Sequence, residues 1–159
     1  MQTEPLIRQS NEVRPQPDAH AVELRRLWKV KLVCRLALGM VWIIEGIVPK
    51  ILFVSAGEIE LVRKSQLYWP TPEGMLILIG VAEIVAGVWL LTGIAERVAV
   101  AAVTLAMSAL VLVVVITDVT MLANPLGGIS KNLCLLACAL VVWRLAPLVP
   151  NKEPIETVG

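Results

Sequence analysis

The sequence predicts an all-α integral membrane protein, a four-helix bundle with both termini in the cytoplasm. Three observations carry that expectation. Of 159 residues, 57% are hydrophobic and the mean hydropathy is +0.78, above the roughly 45–50% apolar content of soluble domains. The apolar residues fall in four blocks, each near the ~20 residues a helix needs to cross the hydrocarbon core. Lysine and arginine lie mostly on one side of those blocks, which sets orientation.

The spans are Leu32–Phe53, Gly74–Gly93, Val98–Thr117 and Ile129–Leu148. The first carries Arg35, Glu45 and Lys50, and the second only Glu83. The third is uncharged, and the fourth has Lys131 and Arg144 near its ends. Residues 30–148 therefore form one membrane domain, between a tail over 1–29 and a short tail over 149–159. The first twenty residues read as disordered, and Ala21–Lys31 as a helical or interfacial lead-in with Trp28 at the headgroups. No cleavable signal is expected.

The connections agree. Thr71-Pro72-Glu73 offers a capping hydroxyl, a proline in the first turn and an acid at the positive helix end. Gly93 suits a helix C-terminus, making GIAER a tight turn. The run Asn124-Pro125-Leu126-Gly127-Gly128 interrupts the chain before the last span. Residues 54–70 have room for a short interfacial helix, with Tyr68 and Trp69 as anchors.

Arg8, Arg14, Arg25, Arg26, Lys29, Lys31, Arg97, Arg144 and Lys152 share one side with both termini. Lys50, Arg63, Lys64 and Lys131 lie on the other. The positive-inside rule then puts the termini in the cytoplasm.

Charges inside a membrane are rare and face a bundle interior or a cavity. At 1.5 Å per residue, Glu45 lies roughly 20 Å from the inner end of its helix and Glu83 roughly 14 Å from the outer end. Lys50, Asp118, Asn124, Lys131 and Asn132 stand near outer ends as well. The polar groups are thus expected in the outer half, with the inner half apolar apart from Arg35. Pro49 has no N–H for the carbonyl of Glu45, so the first helix should kink at Glu45 and leave a free backbone oxygen beside a carboxyl. Gly80, Glu83 and Gly87 share one face, which lets a neighbouring helix approach and turns Glu83 inward. Lys50 and Lys131 are the outer cations within reach. Two accounts stay open: the charges only satisfy one another, or they line a polar pocket. Glu45, Lys50, Glu83, Lys131 and Asn132 are the candidate ligand-binding residues. Arg35, Trp42, Asp118 and Asn124 are secondary candidates, and no metal site is expected.

Missing motifs restrict the chemistry. His20 is the single histidine, so bis-histidine haem is excluded. Cys34, Cys134 and Cys138 cannot supply the four thiolates of an iron–sulfur cluster. Cys134 and Cys138 are four apart on one helix face, about 5–6 Å between Cβ atoms, too far for a disulfide; all three read as small packed residues. No nucleotide motif is present, and a net charge of +1 does not point to nucleic acid.

The run from Arg35 to Lys50, RLALGMVWIIEGIVPK, resembles the first helix of DoxX-like membrane proteins. So do Gly80-Val81-Ala82-Glu83 with Gly87 and Leu90-Leu91-Thr92-Gly93, and Asn124-Pro125 with Lys131-Asn132-Leu133. The resemblance covers roughly residues 30–148. It implies a four-helix domain in a bacterial cytoplasmic membrane, in a family that includes subunits associated with thiosulfate:quinone oxidoreductase and quinol oxidase. It brings no established catalytic residues. Glu45, Lys50 and Glu83 match its polar signature.

Three functions follow as alternatives: an accessory, quinone-holding subunit of a membrane redox system, a non-enzymatic scaffold that binds a partner, or a small transporter acting as an oligomer. The expected partners are the lipid bilayer, a quinone as the candidate cofactor, and redox proteins or further copies of the chain. Whether the chain is an enzyme is left open.

Overall fold

The computed structural model describes residues 19–117 and 129–151; the expected tail over 1–18, Asp118 and Asn124 lie outside them. Among the described residues every regular element is a helix and there is no strand. Helix α1 is Ala19–Ile47, α2 is Ala56–Ser65, α3 is Pro72–Thr92, α4 is Glu96–Thr117 and α5 is Ile129–Leu145. The first stretch is longer than expected, because residues 19–31 continue α1 without a break.

Three stretches are long and apolar enough to cross a membrane: His20–Leu52, Pro72–Thr92 and Glu96–Thr117. These match the first three expected spans. Their outward faces are greasy: Val33 and Met40 on α1, Leu78 and Val85 on α3, and Leu105 and Ile116 on α4 are all exposed. Water would not tolerate such a girdle, whereas lipid does.

Local chemistry sets the helix limits. The Thr71 hydroxyl accepts from the Gly74 N–H at 3.1 Å, and Pro72 takes the first-turn position where its missing N–H costs nothing. Gly93 closes α3 in the left-handed region at φ 70°, which glycine adopts freely. Ser55 caps α2, accepting from the Glu58 N–H.

The packing turns on four glycines. Helix α1 runs antiparallel to α3, and Gly39 meets Gly87 while Gly46 meets Gly80. A Cβ on Gly87 would lie 2.7 Å from the Gly39 carbonyl oxygen, and one on Gly80 would lie 2.7 Å from that of Gly46. The backbones are therefore in direct contact, the close approach that small residues permit between membrane helices. Helix α5 packs against α1 and α4, and α2 packs against α3 and α4. Leu38, Trp42, Leu90, Val100, Val103, Leu135 and Val142 form the core between α1, α3, α4 and α5.

One expectation is overturned. The end of the packing expected to face inward holds a buried charge cluster, not Arg35 alone. Glu96, in the first turn of α4, takes Arg35 Nη1 on Oε1 at 3.2 Å and Lys31 Nζ on Oε2 at 3.0 Å. Lys31, only 1% exposed, also donates to the Val149 carbonyl at 2.7 Å and to Asn151 Oδ1 at 2.9 Å. Asn151 Nδ2 donates in turn to the Gly93 carbonyl at 2.7 Å. The segment after α5 folds back over this end and encloses Lys31. Gly93 is needed a second time here, since a Cβ on it would lie 2.7 Å from Arg35 Nη1.

Two outcomes test this packing. Gly87→Val should wedge α1 from α3 and cost about 1–3 kcal/mol, while Ala82→Val on the exposed side of α3 leaves the unfolding midpoint in detergent unchanged. Glu96→Gln strands two buried cations and should cost about 3–5 kcal/mol. Glu60→Gln, which removes the exposed pair to Arg63, should cost almost nothing in the same measurement.

Candidate functional site

The opposite end of the packing holds the second group of charges, and here Pro49 is decisive. It cannot donate to the Glu45 carbonyl, and the break takes the form of a π-helical turn, Val48–Leu52, closed by Phe53 N–H donating to the Val48 carbonyl at 2.8 Å. Such widened turns recur at functional sites. The orphaned Glu45 carbonyl faces Lys50 Nζ at 3.4 Å, a long hydrogen bond. The widened turn also aims Lys50 toward α3.

Lys50 reaches α3 because Gly80 leaves the space. A Cβ on Gly80 would stand 3.0 Å from Lys50 Cβ. Three residues further along α3, Glu83 Oε2 lies 2.9 Å from Lys50 Nζ, and both side chains are largely buried. That oxygen has no partner in hydrogen-bonding geometry, so the contact is an ion pair held slightly off line. A second pair joins the end of α1 to the first turn of α5, with Lys131 Nζ 2.7 Å from Glu45 Oε1. It is about one-third exposed at each partner, where solvent screens the attraction.

Between these pairs lies a cavity of about 630 Å³, within the roughly 300–1,000 Å³ typical of small-molecule sites. All five principal candidates, Glu45, Lys50, Glu83, Lys131 and Asn132, line it, and so does Trp42. The remaining wall is apolar, with Leu76 and Ile79 from α3, Met107 and Val111 from α4 and Leu135 from α5. Arg35 is not part of it; it belongs to the cluster with Lys31 and Glu96 at the far end. The chamber offers hydrogen-bond donors from two ammonium groups and one amide, carboxyl oxygens beside them, and a broad greasy surface.

One residue of the chamber escaped the sequence reading. Glu58, in the first turn of α2, faces the cavity together with Leu61, Val62 and Ser65 of the same helix. Its Oε2 is buried and accepts no hydrogen bond. Burial pushes its carboxyl above the ordinary carboxylate range; Lys50 and Lys131 oppose that rise and Glu45 adds to it. A signal was present. Ser55-x-x-Glu58 has the capping-box spacing, yet the acid stands at helical spacing from Leu61, Val62 and Ser65. An acid on the apolar face of a loop helix is aimed at the protein.

Comparison with curated proteins and with solved structures returns no significant match. The sequence profile of the DoxX-like family matches residues 39–140. That range takes in the glycine contacts of α1 and α3, the π-helical turn and the chamber's Glu45, Lys50, Glu58, Glu83, Lys131 and Asn132. With its three membrane-length helices, this chain belongs to the DoxX-like family of membrane proteins.

Proposed function

We propose that the chain is an accessory subunit of a membrane redox system and that its chamber holds the head of a quinone. The observation that carries this reading is the pairing of two lysine–carboxylate contacts, one largely buried and one part-exposed, with an apolar-walled cavity of about 630 Å³. A quinone ring presents two carbonyl oxygens that seek donors and a flat apolar body that seeks grease. Lys50, Lys131 and Asn132 supply donors on one side, and Trp42, Leu76 and Met107 supply the apolar wall.

The wider placement belongs to the same proposal. Four spans cross the bilayer, with α5 as the fourth. Its 17 residues rise roughly 25 Å, and helical hydrogen bonding continues to the Val149 N–H, which donates to the Leu145 carbonyl. Both termini then lie with the Lys31–Glu96 end in the cytoplasm of a bacterial cell, and the chamber opens toward the outer leaflet.

A scaffold role is the second reading, and one observation favours it: each lysine of the chamber already bridges two helices through a carboxylate. The two readings separate on one preparation. Purified in native lipid, the wild type should carry extractable quinone and bind a short-tailed benzoquinone. Lys50→Met combined with Glu83→Gln removes a pair without stranding a charge, and should weaken binding about tenfold with helix content and unfolding midpoint nearly kept. No quinone in the extract and no binding by the wild type, with packing loosened in the double variant, would establish the scaffold instead.

A further inference from the structure

Among the described residues the chamber contains more carboxyl groups than ammonium groups. Glu45 from α1, Glu83 from α3 and Glu58 from α2 face it, against Lys50 from the π-helical turn and Lys131 from α5. The two ion pairs, at 2.9 Å and 2.7 Å, engage both cations. Helix α4 contributes only Met107 and aliphatic side chains to the wall. Glu58 is left over, with one oxygen buried and unpartnered. Glu60 on the same helix is different, since it is exposed and paired to Arg63 at 3.2 Å.

Among the described residues three carboxylates face two ammoniums, which leaves one negative charge uncompensated, and even half-burying such a charge is costly. A proton on Glu58 removes that cost. The carboxyl then becomes a donor, like the ammonium groups beside it. Losing the proton turns the same group into an acceptor that carries a charge.

We propose that Glu58 sets which oxidation state of the ligand the chamber prefers: protonated it donates to a quinone carbonyl, and ionised it accepts from a quinol hydroxyl. This rests on the quinone reading above. A quinone can only accept at its oxygens, whereas a quinol can also donate. As pH rises through the titration of Glu58, quinone affinity falls and quinol affinity rises. Because burial lifts that titration above the range of a free carboxylate, the change occurs at less acidic pH than an exposed glutamate would give.

Two measurements on the full chain in lipid nanodiscs decide the matter. An infrared pH titration should show a component of the protonated-carboxyl band that persists above the ordinary carboxylate range, is lost in Glu58→Gln and is kept in Glu60→Gln and in Glu83→Gln. A band that Glu58→Gln leaves unchanged overturns the proposal. In parallel, the ratio of dissociation constants for a short-tailed benzoquinone and its hydroquinone should shift about five- to tenfold across the same pH interval, and stay flat in Glu58→Gln. A flat ratio in the wild type when both forms bind also overturns it. If neither form binds at any pH, the quinone reading itself falls and takes the preference with it, and the infrared band still reports separately whether Glu58 holds the proton. Glu58→Gln should unfold at the wild-type midpoint or above at neutral pH, because it removes a group whose ionisation burial resists.

Discussion

A charged side chain surrounded by hydrocarbon has no water to spread its field, so another part of the protein must neutralise it. Much of this architecture follows from that requirement. Lys50 can neutralise Glu83 only if its stem passes between two backbones, and Gly80 opens the passage. Arg35 can reach Glu96 only if the turn after α3 carries no side chain at Gly93. The residues after α5 fold back so that the Val149 carbonyl and Asn151 complete the shell around Lys31. Gly80 and Gly93 are placed where charges must meet, and the close packing of α1 on α3 brings Lys50 to Glu83.

Features with local causes were legible in the sequence. The threonine cap and first-turn proline of α3 and its glycine end stand where turn chemistry places them, and the short helix expected after residue 54 is present. The break after Glu45 follows from one missing N–H. The glycine face of α3 was readable from helical spacing, and it does turn Glu83 inward to 5% exposure. Lys50 and Lys131 could be named as the available cations, but not assigned to partners. That choice depends on which helices are neighbours, and the pairing emerges only with α1 standing between α3 and α5.

The inner cluster was illegible for a different reason. Lys31 and Glu96 sit at the edges of apolar blocks, where a charged side chain ordinarily reaches out to water. Nothing local distinguishes a lysine that reaches out from one that is enclosed. Enclosure is produced by residues 149–151, more than a hundred positions along the chain. Glu58 was hidden by a plausible structural role: an acid three residues after a serine cap looks fully explained by the cap. Its side chain does other work, because its apolar neighbours Leu61 and Val62 rotate it toward the chamber.

The two charge clusters differ in how completely their donors are used, and that difference separates structure from function in this chain. An ammonium has three donors. Lys31 spends all three, on Glu96, Val149 and Asn151, at 2.7–3.0 Å, and nothing remains for a guest. Among the described residues Lys50 has one short contact to Glu83 and one long bond to the Glu45 carbonyl, and Lys131 has one short contact to Glu45. Both keep donor capacity, and both line the cavity. A saturated cluster closed by the returning chain serves as a clamp. An undersaturated one, with a surplus carboxyl and space before it, is built to be completed by something else.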